Sequence, residues 1–227
     1  MFRSTVMIAC ALLVTWPSSR ASEDGAAELA DGWYARIETS RGTVVARLLP
    51  EQAPQSVAHF AGLAEGSLEW TDRATGKVEK LRYYDKIPVD RVEAGQLFEV
   101  GNATRAGRGT PVLHVPLEGL APVRFNRPGR LGMAREGGRM SGVVFFVTAA
   151  AVPWFEGKFP CFGEVVSDLE TVRRITRADA DSDGRPLETV MVEKVEVFSV
   201  GKVDPLPAPE RYAPSALTPR IKLDPPR

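Results

Sequence analysis

Most of this chain is cut into short apolar runs of strand character, and only two stretches carry helical spacing. That imbalance limits the possible folds more than any other feature. "WYARIETS" and "GTVVARLLP" are β-branched runs separated by Arg41-Gly42, a spacing that suits a hairpin. Further strand-like runs follow at "IPVDRVEA", "QLFEVG", "GRLGMA", "GVVFFVT", "FPCFGEVV" and "TVMVEKVEVFSV". In "APQSVAHFAGLAEGS", Val57, Phe60, Ala61 and Ala64 fall at i, i+3, i+4 and i+7. This predicts a helix over 54–65, with Pro54 in the first turn, where its missing N–H does no harm. His59 lies off that apolar face and reads as solvated. In "DLETVRRITRA", Leu169, Val172 and Ile175 form an apolar stripe behind Asp168, a good N-cap, which predicts a helix over 168–177. Many strands with two helices imply an antiparallel barrel or sandwich that the helices cap. A polar insertion with a Thr-Gly turn, "LEWTDRATGKVEKLRYYDK", and a long loop over 102–130 interrupt the strands.

Both ends read as lying outside the fold. The start, "MFRS", is basic; a twelve-residue apolar stretch follows, then "PSSRAS", with Ser19 and Ala21 at the spacing of a cleavage site. Residues 1–21 therefore read as a secretory signal peptide, implying export to the periplasm or outside the cell. The competing readings are an N-terminal helix that packs or anchors, and a lipid-attached Cys10. The apolar stretch continues past Cys10, against the second. Residues 22–32 read as a linker, 33–200 as the globular domain and 201–227 as a disordered proline-rich tail. The segment 203–227 holds seven prolines, which cannot donate to a ladder or helix. The 227-residue chain has a formal net charge of zero. Without residues 1–21 it keeps 27 basic and 29 acidic residues. Neither balance points to nucleic acid or an anionic membrane as a partner.

Chemistry-bearing motifs are few. Cys161, the one cysteine left after removal of 1–21, has no disulfide partner and sits in an apolar run, so it reads as a buried thiol. His59 and His114 have no serine or cysteine motif beside them, and triad chemistry has no support. Asp179, Asp181, Asp183 and Gly184 start like a calcium loop, but its twelfth position is Val190 and no helix follows. No metal or cofactor is expected. Asn102 opens an "NAT" sequon, an acceptor only in an organism that glycosylates on export.

Six blocks in order carry a resemblance: "GTVVARLLPEQAPQSVAHFAGLA", "YYDKIPVDRVEAGQLFEVGN", "RPGRLGMA", "GVVFFVT", "WFEGKFPCFGEVV" and "DGRPLETVMVEKVEV". They resemble the cyclophilins, peptidyl-prolyl cis-trans isomerases. The resemblance runs from about Trp33 to Val200. It implies a mainly β fold, a closed eight-stranded antiparallel β-barrel capped by two α-helices. It also implies proline-containing polypeptides as partners; a monomer is expected. Rotation about an X-Pro bond crosses a barrier of about 18–20 kcal/mol set by amide resonance. A protein lowers it by holding the proline ring in an apolar pocket and donating to the twisted amide. A guanidinium is a permanently charged donor suited to that.

By this resemblance Arg91 in "VDRVEAG" falls on the catalytic arginine, Phe146 on the pocket floor, and Phe155 and Phe159 on its wall. Leu97 falls on a lining position, Trp154 on the rim, and Ala134 on the substrate-binding run. The same residues could be packing aromatics and aliphatics. The chain also departs from the family. Val144 stands where a glutamine usually binds substrate backbone, and Arg135 where an asparagine usually does. Gln96 replaces a phenylalanine, Phe159 a histidine, and Glu99 a glutamine that orients the arginine. A carboxylate at Glu99 could pin Arg91 by a charge-assisted bond. The expectation is a prolyl isomerase of reduced or altered efficiency, with Arg91, Leu97, Phe146, Phe155 and Phe159 along one exposed groove. A non-catalytic proline-peptide binder or chaperone is the rival. A barrel carrying a small apolar ligand fits less well, because it leaves Arg91 unexplained.

Overall fold

A computed structural model describes residues 29–72, 75–102, 111, 113–118, 124–136 and 138–210. The signal-peptide expectation for 1–21, most of the linker, much of the 102–130 loop and the end of the tail lie outside these residues. The chain forms β1 (Gly32–Thr39), β2 (Gly42–Leu48), α1 (Pro54–Glu65), β3 (Trp70–Thr71), β4 (Val78–Glu79), β5 (Ile87–Glu93) and β6 (Leu97–Val100). It continues through β7 (Arg130–Glu136), β8 (Arg139–Thr148), β9 (Cys161–Val165), α2 (Leu169–Thr176) and β10 (Met191–Val200). Eight strands close a barrel in the order β1-β10-β5-β6-β8-β7-β9-β2, each neighbouring pair antiparallel. β3 and β4 form a separate small hairpin within the polar insertion. The first hairpin pairs Thr39 with Gly42, so its two-residue turn is Ser40-Arg41, one residue earlier than predicted.

Closure sends alternate side chains to opposite sides of the wall. Phe98, Val100, Leu131, Met133, Val143, Phe145, Val147 and Phe162 enter one continuous core with α1 and α2. Phe60 of α1 anchors it, its ring centroid 5.2 Å from both Phe145 and Phe162. α2 is capped as expected: the Asp168 side chain accepts from Thr171 N at 3.1 Å.

α1 departs from the amphipathic expectation, because residues 55–64 are all buried. Its N-cap, Ala53, has no side chain to offer. The Glu118 carboxylate supplies the bond instead, accepting from Ser56 N at 2.5 Å and Ser56 Oγ at 2.8 Å. A carboxylate there also complements the positive end of the helix dipole.

The other cover is the start of the proline-rich tail, and it corrects two expectations. Residues 201–210 are ordered against the barrel rather than loose. The Trp33 indole donates to Asp204 O at 2.9 Å, and Leu206 packs on the core. The Gln55 side chain spans the strap, donating to Ala208 O at 3.4 Å and accepting from Glu210 N at 2.8 Å. Proline removes donors but leaves every carbonyl able to accept, and side chains from the barrel and α1 use them. His59 is consequently not solvated. It is 1% exposed, and its Nε2 lies 2.8 Å from Glu210 O.

Burial lowers the His59 pKa below 6.5, only partly opposed by the bond to Glu210. The unfolded chain therefore takes up this proton first as pH falls, so stability is full above about pH 6.5 and declines below it. His59→Gln keeps a donor but not the titration. The expected outcome is a melting temperature that falls less steeply between pH 7 and 5 than in wild type, measured by circular dichroism. Equal slopes would place the strap's pH response elsewhere.

Candidate active site

The pleat that fills the barrel also builds a second, separate apolar cluster on its outside. Leu97, Ala134, Val144, Phe146 and Cys161 each adjoin an inward residue in sequence and so face outward. Phe125 and Val152 join them from loops, with Phe155 and Phe159 packed against the group. Register brings the polar part alongside. Arg91 pairs with Glu99 across β5 and β6, Glu99 with Phe146 across β6 and β8, and Phe146 with Gly132 across β8 and β7. One row thus crosses four strands, from a guanidinium through a carboxylate and an aromatic ring to a glycine.

Arg91 is gripped on both sides. Its Nε and Nη2 donate to the two Glu99 oxygens at 3.1 and 2.8 Å, and its Nη1 donates to Glu93 Oε1 at 2.6 Å. The bond to Glu99 is the main reason its pKa is raised, so the group stays charged. Three of five N–H bonds are taken. Arg91, Glu99, Ala134, Arg135 and Val144 line an open groove of about 260 Å³. Arg91 also lines a second cleft of about 530 Å³, bounded by Glu93 and by residues 177–184. That loop docks on β5 through Val92 N to Gly184 O at 2.7 Å, with Gly184 against the Arg91 stem. The Asp181 carboxylate, which resembled a calcium ligand in sequence, accepts from Asp183 N and Arg185 N, both at 2.9 Å, and so shapes the turn.

The apolar half is assembled but shut, which corrects the expectation of one exposed groove. Phe146 and Leu97 are each only 1% exposed. Phe155 and Phe159 lie over Phe146 edge-on, at 5.4 and 5.5 Å between centroids, and 4.5 Å from each other. Arg135 closes the group further, donating through Nε and Nη2 to Lys158 O at 3.3 and 3.1 Å, its guanidinium 5.8 Å from the Phe159 ring centre. An aromatic ring at 159 fills space beside Phe146 and gives Arg135 a face to rest on. Gln96 is exposed at the β5–β6 turn, and Trp154, 54% exposed, stands at the rim 6.2 Å from Phe155.

Two residues at the site were missed from sequence. Glu93 lies two positions from Arg91 on the same strand, a period-two relation that could have flagged it. Phe125, 5.7 Å from Phe146, sits in a loop with no periodic signal. Cys161 is buried as expected, and burial pushes its thiol up to about 11.

Comparison with known proteins is consistent across sequence and structure. The family described as "Cyclophilin type peptidyl-prolyl cis-trans isomerase/CLD" matches residues 34–197. A peptidyl-prolyl cis-trans isomerase B of Streptomyces anulatus is 35% identical over 174 residues, covering 74% of this chain and 98% of the relative. Peptidyl-prolyl cis-trans isomerase A of Mycobacterium tuberculosis is 30% identical over 166 residues, 72% and 91% of the two chains. A cyclophilin type peptidyl-prolyl cis-trans isomerase of Cryptosporidium parvum, solved in the presence of the dipeptide Ala-Pro, superposes with a TM-score of 0.59 at 21% identity. It covers 74% of this chain and 99% of its own, a likeness of fold.

Gly132 is the support on which the Phe146 ring rests, since a Cβ there would lie 2.3 Å from the ring's Cζ. The ring has no free side to retreat to. Gly132→Ala should therefore destabilise by about 1–3 kcal/mol through overpacking, read by urea unfolding. An unchanged midpoint would mean that the aromatic group repacks freely.

Proposed function

The chain belongs to the cyclophilin-type peptidyl-prolyl cis-trans isomerase family and is a peptidyl-prolyl isomerase, and we propose that it acts on X-Pro bonds of exported proteins with Arg91 as the donor. The observation that carries this reading is the guanidinium held in a groove that Ala134 and Val144 of the apolar cluster also line, with two N–H bonds that no described residue takes. Such a donor stabilises charge as the amide twists and its nitrogen pyramidalises. Glu99 fixes the plane of the guanidinium before substrate arrives, so little reorganisation is left for the reaction itself.

Efficiency on short peptides is reduced, for two reasons. Val144 has no group to bond the substrate backbone, a loss of about 0.5–1.5 kcal/mol of binding. Phe155 and Phe159 must also part before a proline ring can reach Phe146, so only a fraction of molecules is competent at any moment. Longer unfolded chains offer further contacts that offset this. Export rests on the apolar segment in 1–21 and its small-residue cleavage spacing. Amino-terminal sequencing of the protein isolated from its own cells should then begin near Ser22, and a retained Met1 would refute a cleaved signal.

The function is tested by exchange NMR on proline peptides. Arg91→Ala should lower kcat/KM about 100-fold or more with the fold intact, since the arginine is half-exposed and outside the core. Val144→Gln with Gln96→Phe should raise kcat/KM several-fold, because both restore contacts to substrate. Wild type that binds these peptides without turnover, and a double variant that is no better, would leave binding as the role.

A further inference from the structure

Arg91 stands on the divide between two clefts, with one carboxylate on each side. Glu99 lines the 260 Å³ groove and Glu93 lines the 530 Å³ cleft. Glu99 already takes two N–H bonds side by side, the geometry that fixes a guanidinium plane. Glu93 adds nothing to that planarity. It draws Nη1 toward the second cleft at 2.6 Å and leaves the three groups with a net charge of −1. Nearby cations do not restore the balance. The Arg135 guanidinium is turned to Lys158 O and Arg185 lies 3.8 Å from Asp183. Arg177, which lines the same cleft as Glu93, is paired with Glu170 at 3.2 Å, and Asp179, Asp181 and Asp183 line that cleft too. Glu136 adds another carboxylate to the groove, accepting from Ser141 Oγ.

We propose that Glu93 is a specificity-determining residue that selects proline peptides carrying a lysine or arginine within two residues of the proline. The inference rests on the reading of Arg91 as the donor. A substrate cation pairs with Glu93 and takes it from Arg91. Nη1 is thereby released, adding a third N–H bond to the two already open, so the matching peptide strengthens the donor that acts on it. An acidic residue at the same place meets the excess negative charge and leaves the clamp shut. The side chains concerned are partly exposed, so the preference is electrostatic and falls with salt.

The test compares peptides identical but for Lys, Ala or Glu beside the proline, by exchange NMR for turnover and by NMR titration for binding. Lys should exceed Glu in kcat/KM about five- to tenfold at low salt and less than about twofold near 1 M salt, where the screening length is about 3 Å. Glu93→Gln should cut the preference to about twofold, and Glu93→Asp should retain most of it. Equal rates across the peptides, or a preference that survives Glu93→Gln unchanged, would overturn the inference and leave the isomerase reading standing. If no peptide turns over, the reading of Arg91 as donor fails, and the order of affinities in the titration decides the charge selectivity: Lys tightest supports it, a flat order ends it. A folded spectrum of each variant excludes misfolding as the cause.

Discussion

A closed barrel allows each strand only two directions for its side chains, and the rest of this molecule follows from that restriction. One set fills the interior and meets α1 and α2. The other set faces outward, where most proteins place polar groups, and here it forms an apolar patch around Phe146. An isolated outward patch has no second sheet to pack against. Loops and the turn at Pro153–Phe155 cover it, bringing Phe125, Val152, Phe155 and Phe159. The adjacent phenylalanines of "GVVFFVT" express the same rule in two residues: Phe145 belongs to the core and Phe146 to the site.

The site has two halves with different physical states. The polar half is open and over-supplied with carboxylates, so its arginine is rigid, charged and partly neutralised. The apolar half is complete and closed by its own rings. On the function proposed for it, a proline peptide has to displace aromatic contacts on one side and compete with an ion pair on the other. Neither barrier alone is large, because ring contacts contribute about 0.5–1.5 kcal/mol each and an exposed ion pair less. Under that proposal the two together make turnover depend on what the substrate brings with it, which links the rings packed over Phe146 to the charge around Arg91.

The C-terminal strap shows how a proline-rich segment poor in donors can still be held. Its carbonyls accept from Trp33 and Gln55, and the last bond is made with His59, a buried ring on the most enclosed helix. Covering α1 on its outer face turns an amphipathic helix into a buried one. It also couples the strap to protonation of a single histidine.

The main strand segments, both helices, the capping Asp168 and the pairing of Arg91 with Glu99 were legible in sequence, because each depends on residues close together or on a period of two along one strand. The substitutions at Val144, Gln96, Arg135 and Phe159 were legible for the same reason, as single positions within blocks. Contacts between distant segments were not. His59 reads as solvated on a helical wheel, which carries no record of a strap arriving from 151 residues away. Phe125 joins Phe146 only because barrel closure brings its loop there. Amino-acid order alone determined which residues could face outward beside the arginine. Packing of remote chain segments decided that the aromatic half would be shut and that Glu93 would hold the remaining side of the guanidinium, since both depend on distances that exist only once the barrel has closed.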